Sequence, residues 1–245
     1  MDPRKSLDKN QQTIQRIQQH IGGELARTAL SIGAIRLNTE QPFQWASGYR
    51  MPIYNDNRQL LQDPAVRQLV AQGFAELLDA LEWDPGWVAG TATAGIPHAT
   101  TLADRLRLPL TYVRSSNKGH GMGNRIEGLA PEGSYDGQRV ILIEDLISTG
   151  GSSINAVKAV RQADGIVPYC LAIFTYGLKA AGENFADLDP ACIPLTILTY
   201  DMMIEAAVST GYIDREQAQS LSSWREDPFG WGESRGFPRE TGGEA

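Results

Sequence analysis

The sequence predicts an α/β fold: an open, mainly parallel β-sheet flanked by helices. Three observations carry this. Short apolar runs of strand length alternate along the chain with segments of helical apolar spacing, the order expected of repeated strand–helix units. The stretch Val140-Ile-Leu-Ile-Glu-Asp-Leu-Ile-Ser-Thr-Gly-Gly-Ser-Ser153 joins an apolar strand, an acidic pair, a small-residue turn and a helix start without interruption. A chain of 245 residues with 42% apolar content can bury one sizeable core, and no uninterrupted apolar stretch reaches membrane-spanning length.

Each element has a local reason. Residues 11–32 place Ile14, Ile17, Ile21, Leu25 and Leu30 largely on one helical face. Residues 43–57 read as extended and turn-rich. A second helix is expected over 64–81, with Pro64 in its first turn after Asp63. A short strand at 87–90, a helix at 96–106 and a strand at 110–113 follow, then a loop over 118–133. The strand opening at Val140 leads to a helix over 154–163, marked by Ile154, Val157 and Val160. Strands over 167–176 and 195–199 and a helix over 201–209 complete the order. We divide the chain into an N-terminal helix and hood segment (1–60), a core (61–215) and a tail (216–245). The Gly-, Glu-, Pro- and Arg-rich end of that tail is expected to be mobile or loosely docked.

The Val140–Ser153 stretch is where chemistry is expected. Open α/β sheets bind ligands beyond the carboxyl ends of their strands. The backbone N–H groups of Ser148, Thr149, Gly150, Gly151 and Ser152, with the helix start behind them, suit a phosphate. Glu144 and Asp145 suit sugar hydroxyls, or a magnesium ion that phosphates also hold. Acids beside a phosphate cradle point to a ribose phosphate. A P-loop is excluded because Gly150-Gly151 is followed by Ser152 rather than lysine, and the loop lacks G-x-G-x-x-G. A second segment, Tyr112 to Gly128, concentrates Arg114, Lys118, His120 and Arg125 among four glycines. Near a phosphate site it reads as a lid that could neutralise a departing pyrophosphate.

Composition narrows the partners. A net charge of −7 with no basic stripe excludes general nucleic-acid binding. The N-terminus is rich in Lys, Gln and Arg without an apolar signal core, so a cytoplasmic location is expected. Cys170 and Cys192 are expected to be reduced and buried, with no metal framework. His98 is assigned to capping or packing, and Trp83, Trp87, Trp224 and Trp231 to structure. Trp45 is left between shielding a pocket and packing in the core or a dimer.

The acid-loop stretch resembles the 5-phosphoribosyl-1-pyrophosphate (PRPP) motif of the type I phosphoribosyltransferases. Taken with Ala46-Ser-Gly-Tyr-Arg-Met-Pro-Ile-Tyr-Asn-Asp-Asn-Arg58, Gly90-Thr-Ala-Thr-Ala-Gly-Ile-Pro-His98 and the Arg114-to-Gly128 lid, the chain resembles the orotate phosphoribosyltransferases from about Ser31 to about Tyr212. That resemblance implies a type I phosphoribosyltransferase-like fold with a small N-terminal hood. It implies transfer of the phosphoribosyl group from PRPP to orotate, Mg²⁺ as cofactor, and a homodimer whose lid reaches the neighbouring site.

Residue by residue, the resemblance gives Arg114, Lys118 and His120 to PRPP and mainly to its pyrophosphate. It gives Glu144 and Asp145 to the ribose hydroxyls, and Leu146, Ile147, Ser148, Thr149, Gly150, Gly151 and Ser152 to the 5′-phosphate. Lys118, His120 and Asp145 are the expected catalytic residues. Ser148, Tyr54 and Asn55 line the orotate pocket, and Arg50 is our own candidate for the orotate carboxylate. Mg²⁺ is expected to be held mainly by PRPP, aided by Glu144 and Asp145. The chain departs from some members at Ala46, Ala94, Ser115 and Thr175-Tyr176-Gly177, where those carry cations. Fewer cations should leave Arg114 and Lys118 a larger share of charge neutralisation. The alternatives are transfer to another base, a PRPP-sensing regulator of the same fold, or a structural relative of PRPP synthetase.

Overall fold

The computed structural model describes residues 3–115, 125–130 and 133–240. Helix α1 (Pro3–Ile17) continues through a π-helical turn (Gln18–Gly22) into α2 (Gly23–Ser31). The helix therefore starts eight residues before the predicted position. Residues 3–10 lack an apolar period, and tertiary contacts hold them: Ser6 donates to the Leu81 carbonyl and Tyr169 donates to the Pro3 carbonyl.

A hood follows from β1 (Ile35–Leu37), β2 (Phe43–Gln44), β3 (Arg50–Met51) and β4 (Ile53–Asn55). Strands β1 and β4 pair antiparallel, as do β2 and β3. A 3₁₀ turn (Asn57–Gln62) leads to α3 (Pro64–Ala80). The Asp63 carboxylate caps α3 by accepting from the Ala65 N–H at 2.7 Å, and Pro64 fills the first turn as predicted.

The core consists of β5 (Trp87–Thr91), α4 (Gly95–Leu106), β6 (Leu110–Val113), β7 (Ile126–Glu127) and β8 (Val140–Ile147), then α5 (Gly151–Gln162), β9 (Tyr169–Thr175), α6 (Lys179–Ala186), β10 (Ile193–Thr199) and α7 (Tyr200–Ser209). The six-stranded sheet has the order β10-β9-β8-β5-β6-β7, parallel except for β7. From β5 the chain steps outward to β6 and β7. It then returns to the other side of β5 as β8 and proceeds to β9 and β10. The order reverses between β5 and β8, so a crevice opens at their carboxyl ends.

Alternating residues supply the two faces. Ile141, Ile143, Leu171, Ile173 and Ile197 join the larger core with α1 to α4 and α7, while Val140, Leu142, Cys170 and Ala172 join the smaller core under α5 and α6. Burial on both faces explains the near-continuous apolar runs. Cys170 and Cys192 are buried free thiols. Close approach at one point depends on glycine: a Cβ at Gly22 would run into the Ile197 carbonyl oxygen, and one at Gly73 would meet the Ile197 side chain at 2.9 Å.

The tail is the main departure from expectation. Helix α8 (Arg215–Glu226) begins with a reciprocal capping box between Asp214 and Gln217. Trp224 and Trp231 sit in the larger core. Residues up to Glu240 then dock on the hood, where the Glu240 N–H donates to the Gly48 carbonyl at 3.1 Å and Arg239 to the Ser47 carbonyl at 3.1 Å. The aromatic residues, rather than the polar composition, decide the packing of 216–240. Residues 241–245 lie outside the described residues. Among the described residues no helix is long and apolar enough to cross a membrane.

Candidate active site

The crevice is built by three loops at the β5–β8 junction. The first follows β5. Gly90 and Gly95 allow the turn to close: a Cβ at Gly90 would meet the Ala99 Cβ at 2.9 Å, and one at Gly95 would meet the Ile143 carbonyl at 2.6 Å. The loop therefore lies directly against β8, and its Ala92–Thr93 peptide is cis.

Strand β8 carries both acids near its carboxyl end and runs on to Ile147, and the two carboxylates have different surroundings. Glu144 is 4% exposed. Its Oε1 accepts from Thr91 Oγ1 at 2.6 Å and from the Asp145 N–H at 3.0 Å. Its Oε2 accepts from Ser152 Oγ at 2.9 Å and Ser153 Oγ at 3.1 Å. Four donors from the protein occupy this carboxylate, so it faces protein hydroxyls rather than the open crevice. Asp145 is half-buried. Burial, then its hydrogen bond with Glu144 and that residue's charge, push its pKa up to about 7. Both acids are expected at the ribose hydroxyls; in this structure the Glu144 carboxylate is occupied by protein donors and Asp145 is the less enclosed of the two. Thr91 and Ser153, which the sequence reading did not single out, are part of the arrangement.

The phosphate loop, Ser148 to Gly151, leads into α5, three residues earlier than predicted. Gly150 has φ +84°, and a Cβ there would meet the Phe185 ring at 2.9 Å. Only glycine fits both demands. Asn184 braces the loop by donating to the Thr149 carbonyl at 2.9 Å. The Ile147 side chain is buried in the smaller core and Leu146 packs on the larger one, so these two offer a ligand backbone only. Gly151 and Ser152 are exposed at the helix start.

The base of the lid sits on β6 and β7, a strand missed in a segment expected to be loop. Arg114 pairs with Glu127 at 3.4 Å. Arg125 donates to the Arg114 carbonyl at 2.9 Å and the Ser115 carbonyl at 3.2 Å. A cavity of about 220 Å³ lies here, lined by Thr91, Ala92, Val113, Arg114, Ser115, Arg125, Ser152, Asn155 and Ala156. Lys118 and His120 lie outside the described residues.

The hood covers the other side. Asn57 donates to the Asp145 carbonyl at 2.7 Å, which pins the end of β4 to the acid pair. Tyr54 is half-buried, and both amide atoms of Asn55 are buried without a hydrogen-bond partner among the described residues. Trp45 is structural: it packs on Tyr176 and Trp224 and donates to the Ile53 carbonyl at 3.0 Å. Arg50 forms an ion pair with Glu240 of the docked tail. His98 is buried on α4 with neither ring nitrogen bonded among the described residues, consistent with packing, and burial lowers its pKa to about 4.

Comparison with known proteins places this geometry among relatives. Residues 56–174 match the phosphoribosyl transferase domain. The chain is 46% identical over 213 residues to the orotate phosphoribosyltransferase of Lactiplantibacillus plantarum, covering 86% of this chain and 97% of the relative. The crystal structure of orotate phosphoribosyltransferase from Aeropyrum pernix is 30% identical and superposes with a TM-score of 0.61 over 77% of this chain and 99% of that one. The fold is also that of the Mycobacterium tuberculosis enzyme in complex with PRPP, at TM-score 0.57 and 23% identity, over 75% of this chain and 98% of that one.

Proposed function

The chain belongs to the orotate phosphoribosyltransferase family, and from that premise we propose that its crevice transfers the 5-phosphoribosyl group of PRPP to orotate. The products are orotidine 5′-monophosphate and pyrophosphate, and the reaction serves de novo pyrimidine (UMP) synthesis. The observation that carries the reading is the meeting, at one strand crossing, of a half-buried acid, a glycine-built phosphate loop and an arginine-bearing lid base.

The reaction asks for positioning and charge stabilisation. The loop from Ser148 to Ser152, opening α5, holds the 5′-phosphate through backbone N–H groups. Asp145 binds ribose hydroxyls, and Glu144 holds the surrounding loops in register. The C1–O bond breaks with its electron pair passing to pyrophosphate. A deprotonated ring nitrogen of orotate forms the new bond from the opposite face. Arg114, with Lys118 and His120 of the lid, stabilises the charge that builds on the leaving group.

We also propose Mg²⁺ as cofactor. Among the described residues no cluster of three His, Cys, Asp or Glu side chains forms a metal cage. This donor set suits an ion that keeps few protein carboxylates and takes its oxygens from phosphates and water. Asp145 is the acid available to help hold it, and the ion would neutralise the pyrophosphate. A cytoplasmic homodimer with a shared lid completes the proposal, on the strength of the family resemblance.

The test is orotate absorbance with PRPP, with and without Mg²⁺, repeated with hypoxanthine, guanine, xanthine and uracil. Magnesium-dependent loss of orotate is expected. Pyrophosphate release only with another base would discard the orotate reading, and inactivity with every base would favour a PRPP-sensing role.

A further inference from the structure

Resting on the reading of this site as an orotate site, we propose that Arg36 receives the carboxylate of the pyrimidine. The described hood carries three cations, Arg36, Arg50 and Arg58. Arg50 is paired with Glu240, and Arg58 is paired with Asp56 at 2.6 Å. Arg36 has no carboxylate partner among the described residues. Its guanidinium carbon lies 4.7 Å from the centroid of the Tyr54 ring and 5.1 Å from that of Phe43.

Stacking on ring faces holds the guanidinium plane while leaving the N–H donors at its edge free, the geometry that meets a carboxylate with two bonds. The β1–β4 register places Arg36 directly opposite Tyr54. Tyr54 lies in β4, three residues before Asn57. The end of β4 is tied to Asp145 through Asn57. Arg36 therefore presents a cation, without a carboxylate partner among the described residues, on a ring of the strand whose end is tied to Asp145. Nothing in the local sequence separates it from Arg50; the tertiary pairing with Glu240 does.

Orotidine 5′-monophosphate and uridine 5′-monophosphate differ only by this carboxylate, so their affinity ratio reads the contact directly. Binding of both, and of PRPP, to the full chain by calorimetry is the experiment. The unsubstituted protein should prefer the carboxylated nucleotide. Arg36→Gln should weaken that nucleotide by about 10- to 100-fold, the range for a lost charge-assisted pair, while leaving PRPP and uridine 5′-monophosphate unchanged. Arg36→Lys should recover part of the preference. A ratio that survives Arg36→Gln, or that collapses only in Arg50→Gln, overturns the proposal. Equal affinities in the unsubstituted protein would instead overturn the orotate reading itself.

Discussion

Thr91, at the end of β5, donates a 2.6 Å hydrogen bond to the carboxylate of Glu144 in β8. The same carboxylate accepts from Ser152 and Ser153 at the start of α5. One buried acid thus joins the loop after β5 to the phosphate loop. Burying a carboxylate is costly unless donors replace its water, and here four do.

Thr91→Val keeps the side-chain shape and removes one of those donors. It should destabilise the protein by about 1–3 kcal/mol. It should also raise KM for PRPP more than KM for orotate, because the tie holds in place the loop proposed to take the 5′-phosphate of PRPP. Urea unfolding and steady-state kinetics check this; unchanged values for both would remove Glu144 as the link between the loops.

Gly22→Ala should cost about 1–3 kcal/mol, because the added methyl meets backbone that cannot swing aside. Gly23→Ala is the control: its Cβ would reach only the Arg27 guanidinium, at 3.7 Å, and the exchange should be neutral or stabilising. Equal effects at the two positions would argue against the close contact of the first helix with Ile197.

His98 supplies a pH test. Its folded pKa is about 4, lowered by burial from an ordinary 6.5. The unfolded chain takes up a proton at this residue as pH falls below 6.5, and the folded chain does not until about 4. Its contribution is therefore fully present above pH 6.5 and lost as pH falls toward 4, by on the order of 3 kcal/mol. His98→Leu should lose less stability than the unsubstituted protein between pH 7 and pH 4.5. Parallel stability curves for the two proteins would show that His98 does not titrate in this way.

Lys118→Ala should lower turnover by about 10²- to 10³-fold, the usual effect of deleting one charge-stabilising donor. The cations replaced by Ser115 and Ala94 leave fewer groups to share that work. Near-normal turnover in the variant would remove the lid role from Lys118.

Much of the fold is legible locally. The strand at Val140, the Pro64 helix start and the helix from Gly95 follow from apolar period, capping and proline chemistry. Helices α6 and α8 were not legible, because α8 buries only Leu221 and Trp224 and α6 only Ala181 and Phe185. Two contacts in a polar segment form no readable period. The tail has the composition of a mobile end, yet Trp231 buries almost completely.

The sequence by itself determined where the chemistry is built. Strand, acids, phosphate loop and helix start are consecutive, so local spacing alone brings them together. Only the tertiary structure decided how the work is divided among similar residues. Glu144 and Asp145 are adjacent, but hydroxyls from β5 and α5 occupy the first and leave the second half-buried beside the crevice. Arg50 and Arg36 are both hood arginines, but a residue 190 positions away neutralises the first. Burial and pairing depend on which distant groups arrive at a site, and that is set when the core closes.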